Sequence, residues 1–141
     1  MSDKSDIQEL LNTYTIHGSR GDWDTALSTF TANGVWAIPA FDVSASGVET
    51  IASVIGNFVS AMDFIAQINS PALIEIDGDK ATAKSMIREC GKHKGREEAM
   101  EIVGIYHDDL VRTADGWRFT HRSFEVISMH DYPITMARAN S

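Results

Sequence analysis

A single cysteine, Cys90, stands in 141 residues, so no disulfide can form within the chain. That suits a reducing compartment, and a lone thiol usually serves as a small buried apolar residue. Positive charge is also short. Twelve Lys and Arg face 20 Asp and Glu, for a formal net charge of −8. Such a surface repels phosphate backbones and argues against a nucleic-acid partner. The one basic cluster, Lys92, His93, Lys94 and Arg96, runs into Glu97 and Glu98 and reads as a solvated hairpin end. No apolar run reaches membrane-spanning length, and the opening MSDKSDIQELL is too polar and acidic for a signal peptide. The expectation is a cytoplasmic protein with no membrane partner. No His/Cys cluster has metal-ligand spacing, no glycine-rich loop is suited to a phosphate, and no Ser-His-Asp nucleophile is visible. No internal repeat is present.

What remains is an ordinary globular composition, 43% apolar and 23% charged, in a chain long enough to bury one real core. One domain over residues 1–141 is expected, with its core at about 5–130 and a tail from 131. Asp3 or Ser5 can cap a first helix, whose apolar stripe is Ile7, Leu10, Leu11, Tyr14 and His17 or Gly18. Asp22 caps a short second helix in which Trp23, Leu27 and Phe30 share a face. Asn33-Gly34 reads as a turn, Val35 to Ile38 as a strand stopped by Pro39, and Ala40 to Ser46 as a loop over a pocket mouth. Val48, Ile51, Ile55, Phe58, Val59 and Met62 mark a third helix. From Phe64 the period becomes two: a strand Ile65 to Ile76, the turn Asp77-Gly78-Asp79, and strands over Ala81 to Cys90, Ala99 to Arg112 and Trp117 to Met129.

The order α-α-β-α-β-β-β-β predicts an α+β domain with helices on one face of a curved mixed or antiparallel sheet. Ile102 and Tyr106 lie on one parity of the long strand, Val103 and Ile105 on the other. Apolar residues on both faces predict that a second copy covers the side away from the helices, giving a homodimer or larger homo-oligomer through the sheet.

These elements carry a resemblance. Tyr14, Gly21-Asp22-Trp23-Asp24, Phe30 to Trp36, Asn69-Ser70-Pro71, Ile76 to Ala81, Gly104 to Asp108 and Gly116 to Phe119 together resemble the SnoaL-like branch of the nuclear transport factor 2-like superfamily. That branch includes polyketide cyclases, scytalone dehydratase and bile-acid dehydratase, with ketosteroid isomerase more distant. The resemblance implies a cone-shaped α+β barrel around an apolar pocket. It also implies chemistry without metal or cofactor, and a small hydrophobic molecule as partner. One such scaffold hosts many reactions, so it speaks for fold more than for function.

Candidate catalytic residues are Tyr14, His17, Glu89, Asp108 and His121. Tyr14, on the inward stripe of the first helix, can stabilise developing negative charge on a substrate oxygen. His17 shares its face and is a suitable general base. Asp108 lies on the apolar parity of Ile102, Gly104, Tyr106 and Leu110, so it needs a partner or a raised pKa. If Ala114-Asp115 is a two-residue hairpin loop, Asp108 faces His121 and orients it. If Gly116 forms a bulge, Asp108 faces Arg122 in a salt bridge. Analogy with the isomerase favours His121. Glu89 lies on the inward parity of Ala81, Ala83, Ser85 and Ile87 and resembles a pocket carboxylate of the bile-acid dehydratase. Trp36, Ile38, Phe58, Met62, Tyr106 and Phe119 would wall the pocket, and Glu125 could enter its deep end. The resemblance also has gaps. The dehydratases' Asp position is Ser19 here, their His falls in the stretch Ile65-Ala66-Gln67, and the isomerase's proton-shuttling Asp falls at Ile38. The expected activity is a cofactor-independent lyase or isomerase acting on a small hydrophobic oxygenated ring compound. The alternative is a non-catalytic binding or protein-interaction module.

Overall fold

The computed structural model of the protein describes residues 2–134. The expected tail from Ala137 to Ser141 lies outside that range. Helix α1 (Asp3–Ser19) starts at Ser2, whose hydroxyl accepts from the Ser5 amide, so the cap falls one residue before the positions expected. It buries Ile7, Leu11, Tyr14, Thr15 and Gly18, a stripe with helical spacing. Gly18 is there for closeness: a Cβ at that position would stand 3.0 Å from the Trp23 ring. Helix α2 (Trp23–Leu27) is capped by Asp22 as expected. Helix α3 (Val48–Ser60) buries Ile51 and Ile55. Asp3 ties the start of α1 to the sheet. Both its oxygens accept from Arg112, at 2.8 and 2.9 Å. Hydrogen bonds from Arg112 and Trp117 hold its carboxyl down at about 2.

The strands are β1 (Phe30–Ile38), β2 (Val43–Ser46), β3 (Met62–Asn69), β4 (Leu73–Asp77), β5 (Lys80–His93), β6 (Glu98–Thr113) and β7 (Gly116–Pro133). They form one mixed sheet in the order β2-β1-β7-β6-β5-β3, with β4 continuing beside β5. β1 runs parallel to β7; every other pair is antiparallel. The helices pack on one face, and the sheet curves around the core without closing into a barrel, leaving edges at β2 and at β3 and β4.

Four local expectations are corrected. Phe30 to Gly34 belong to β1, and Asn33-Gly34 sits at an irregularity in its pairing with β7, not at a chain reversal. Val43–Ser46 pairs with β1 as a short edge strand. The expected strand Ile65 to Ile76 is two strands, broken at Ser70-Pro71-Ala72, where Pro71 cannot donate to a ladder. β7 runs on to Pro133, which pairs with Glu98, so residues 131–133 are strand.

β6 and β7 are pinned by a close approach at Gly104. A Cβ there would meet the Glu125 carbonyl and stand 2.5 Å from the Phe124 ring. Gly104→Ala is therefore expected to destabilise by about 2 kcal/mol or more, as overpacking of a filled core does. The midpoint of urea unfolding reads this.

Candidate functional site

The inner face of the sheet, α1, α2 and α3 enclose a cavity of about 230 Å³. Its walls are largely apolar. Of the six wall residues expected from the sequence, Trp36, Ile38, Phe58, Met62 and Tyr106 line it. Phe119 does not; it is fully buried beside Phe30, with ring centroids 5.4 Å apart.

Two groups of polar side chains face this space. The first is built on two phenols. The buried Tyr14 and Tyr106 rings meet edge to face, with centroids 6.1 Å apart. The Tyr106 hydroxyl accepts from Trp36 Nε1 at 3.2 Å. Trp36 approaches the Tyr106 oxygen as a donor, which leaves the Tyr106 proton for a ligand. Burial pushes both phenols above their ordinary value, so both are neutral donors at physiological pH.

The second group is Glu89. Its Oε1 accepts from Gln67 Nε2 at 2.7 Å, and Gln67 in turn donates its backbone N–H to Ser19 Oγ at 2.9 Å. Burial raises the Glu89 carboxyl above its ordinary value, and the Gln67 hydrogen bond offsets this only in part. Glu89 keeps some accessible surface, as a cavity wall residue does, yet desolvation dominates its titration. It is the carboxyl among the cavity's lining residues.

Asp108 is engaged elsewhere. Its two carboxyl oxygens accept from Arg122 Nε and Nη2, at 2.7 and 3.1 Å, in a pair closed to solvent. The favoured Asp108–His121 pairing is thus corrected, for a reason that neither register anticipated. Ala114-Asp115 is indeed the two-residue loop, and Arg112 to Leu110 pair with Trp117 to Phe119 in step. One residue, Thr120, is then extra on β7, so that Asp109 meets His121 and Asp108 meets Arg122. His121 pairs laterally with Val35, on the face away from the cavity. Burial pushes Asp108 upward against the attraction of Arg122, and that same attraction keeps Arg122 charged. The guanidinium carbon lies 3.8 Å from the Tyr106 ring centroid, 4.2 Å from that of Phe119 and 4.6 Å from that of Tyr14. The pair therefore fixes both phenols from behind.

His17 faces an outer groove between α1 and β4, and its Nδ1 lies 3.2 Å from Asp22. Glu125 is exposed on the outer face, 2.8 Å from His107 Nε2. Within the basic cluster, Lys92 reaches Asp63 at 2.6 Å, Arg96 reaches Glu98 and Asp131, and His93 lines the cavity.

Trp23, Gln67 and His93 are the polar wall residues that sequence reasoning did not place in the site. His93 was legible in principle. It lies four residues after Glu89 and so on the same parity, had the strand been extended past Cys90. Among the described residues, no group of three His, Cys, Asp or Glu is placed to hold a metal ion, and no helix is long and apolar enough to cross a membrane.

A family model described as a SnoaL-like domain matches residues 1–123. No curated protein matches the chain. Among solved structures, a provisionally assigned aromatic ring hydroxylase from Novosphingobium aromaticivorans is 22% identical. The match covers 92% of this chain and 93% of that one, with a TM-score of 0.85. A provisionally assigned scytalone dehydratase from the same species is 17% identical, over 99% and 100% of the two chains, with a TM-score of 0.82. A hexachlorocyclohexane dehydrochlorinase of type 3 from Novosphingobium barchaimii is 14% identical, over 97% and 93%, with a TM-score of 0.80. At these identities the likeness is one of fold.

Proposed function

The chain belongs to the SnoaL-like domain family, and we propose that it is a cofactor-independent lyase or isomerase acting on a small, neutral, oxygenated ring compound. One observation carries the reading: a desolvated carboxyl, Glu89, shares an apolar cavity with a phenol, Tyr106, whose proton is free. The named dehydratase and dehydrochlorinase among the similar structures both eliminate, which supports the same class.

Glu89 is the base. Burial makes its carboxylate a stronger base than a solvated one, closer to the match that proton transfer near neutrality favours. It removes a proton from the carbon next to a substrate carbonyl. Charge develops on the carbonyl oxygen, where Tyr106 donates, backed by the Trp36 N–H on its own oxygen. In a dehydration, the enolate expels a β-hydroxyl, and Glu89 returns its proton to the departing oxygen, releasing water. In an isomerisation, the proton returns to a different carbon. The cavity, below the usual range of about 300–1,000 Å³ for drug-sized ligands, suits one or two rings.

A panel of neutral cyclic β-hydroxy ketones in D2O tests this, with NMR following α-deuteration and loss of the hydroxyl. Wild type is expected to exchange or eliminate at least one member. Tyr106→Phe should slow that reaction about 10²-fold or more, while His17→Ala and His121→Ala leave it unchanged. Loss of activity in His121→Ala with Glu89→Gln still active would overturn the assignment.

A binding-only reading rests on Ser19 and Gln67. They touch each other, Ser19 at the position where the resemblance puts an Asp and Gln67 in the stretch where it puts a His. Tight binding across the panel without exchange or product would favour it.

The proposed assembly is a dimer through the outer face, where Ile68, Met86 and Ile127 are exposed and Val103 and Ile105 half-exposed. Light scattering is expected to give twice the monomer mass, and Met86→Glu with Ile127→Glu the monomer mass.

A further inference from the structure

One polar group on the cavity wall takes no part in the proposed reaction. His93 lines the cavity from the end of β5, where it pairs with Met62 just past the end of α3. It lies four residues beyond Glu89 on the inward parity, roughly 13 Å along the strand at the usual rise. Gly91, between them, leaves the wall to apolar atoms. A Cβ there would stand 2.6 Å from Met62 Cε and 3.4 Å from Met100 Cε, and both methionines line the cavity. Along β5 the wall therefore runs polar, apolar, polar. The backbone at His93 is fixed: its carbonyl accepts from the Arg96 amide and from Lys92 Nζ, each at 3.3 Å, and Lys94 donates its N–H to the Ala61 carbonyl at 2.9 Å. Its imidazole is free. Among the described residues no hydrogen bond, ion pair or ring contact engages it, and the residue stays partly accessible. Glu89 and Tyr106, by contrast, are held by Gln67 and Trp36.

We propose that His93 is a specificity-determining residue whose imidazole hydrogen-bonds a hydroxyl at the outer end of the ligand. A hydroxyl both donates and accepts, so it suits an imidazole whichever nitrogen carries the proton. The ligand then carries two oxygens with apolar ring carbon between them, one for Tyr106 and one for His93. The ring carbon lies against Met62 and Met100. This rests on the proposed reading of the cavity as the substrate site and adds the chemistry of the substrate's outer end.

The test uses three probes that share one carbonyl, with dissociation constants from calorimetry. They are 2-tetralone, 6-hydroxy-2-tetralone, with its hydroxyl at the far corner of the fused rings, and 8-hydroxy-2-tetralone, with its hydroxyl on the carbonyl's side. The common carbonyl serves Tyr106 in all three, so only the added hydroxyl differs. Wild type is expected to bind the 6-hydroxy probe about tenfold tighter than the parent, as one good hydrogen bond allows, and the 8-hydroxy probe no tighter. His93→Phe is expected to reduce that gain to about threefold or less while leaving the parent nearly unchanged, and Glu89→Gln to keep it. A second readout is made on wild type. The His93 imidazole ¹⁵N resonances should move with 6-hydroxy-2-tetralone and much less with 2-tetralone. Equal movement with both, a gain that survives in His93→Phe, an equal gain from the 8-hydroxyl, or no binding of any probe would overturn the inference. The outcomes separate it from the proposed reaction. A gain through His93 with turnover indifferent to Glu89→Gln leaves the contact and removes the reaction. Turnover lost in Glu89→Gln with no gain through His93 does the reverse.

Discussion

Asp108→Asn is expected to cost about 3 to 5 kcal/mol of stability, because it leaves the Arg122 guanidinium charged and unpaired in the core. In a chain of this size that lowers the thermal midpoint by roughly 10 °C or more. The cause is specific. Both oxygens of Asp108 are bound by Arg122, and both side chains are shut off from water. Asparagine keeps one acceptor, loses the charge, and turns an NH2 toward a cation. Replacing both partners by apolar residues, Asp108→Leu with Arg122→Met, should recover much of the loss, since no uncompensated charge then remains. That double variant has a second consequence. Arg122 lies against the faces of Tyr14, Tyr106 and Phe119. A protein refolded to near wild-type stability without Arg122 should still be slower, its phenols no longer fixed. Scanning calorimetry reads the first effect, and turnover at matched folded fraction reads the second.

Glu89→Gln is expected to abolish turnover, by about 10² to 10⁴-fold, the range removed with a general base, while making the protein more stable near neutral pH. The two signs together identify a functional carboxyl. Burial raises the Glu89 pKa in the folded state above its ordinary value of 4.5. Between those two values the folded chain therefore binds more protons than the unfolded chain. Stability must fall as pH rises through that window, and the cost persists above it. Glutamine keeps the acceptor for Gln67 Nε2 and removes the cost. Its thermal midpoint should stand above that of wild type at pH 8. The two should converge as pH approaches 4.5. An acidic limb in the pH–rate profile should likewise lie above 4.5.

Much of this site was legible from parity and periodicity. Tyr14 on the buried stripe of α1, Tyr106 on the apolar parity of β6 and Glu89 on that of β5 all stand where the pattern places them. The partner of Asp108 was not legible. It turns on one extra residue, Thr120, in the middle of β7, and a bulge there needs no glycine or other local signal. The loop chemistry of Ala114-Asp115, read correctly, gave the wrong face for His121 once that residue slipped in. His93 was lost because the basic run Lys92 to Arg96 masks the alternation that carries β5 past Cys90. Trp23 was assigned to a helix face, and nothing in its sequence shows that the indole nitrogen is left without an acceptor. Edge strand β2 is four residues long, too short to show a period, and pairs only because β1 passes beside it.

The carboxyl of Glu89 can be titrated directly, with ¹³C-labelled glutamate and the resonance assigned by its absence in Glu89→Gln. It is expected to titrate above 4.5 in the free protein and to move again when a neutral ring ketone enters the cavity. A carboxyl that titrates at or below 4.5 and is indifferent to the ketone would be solvated and remote from the ligand, and would contradict Glu89 as the base of this cavity.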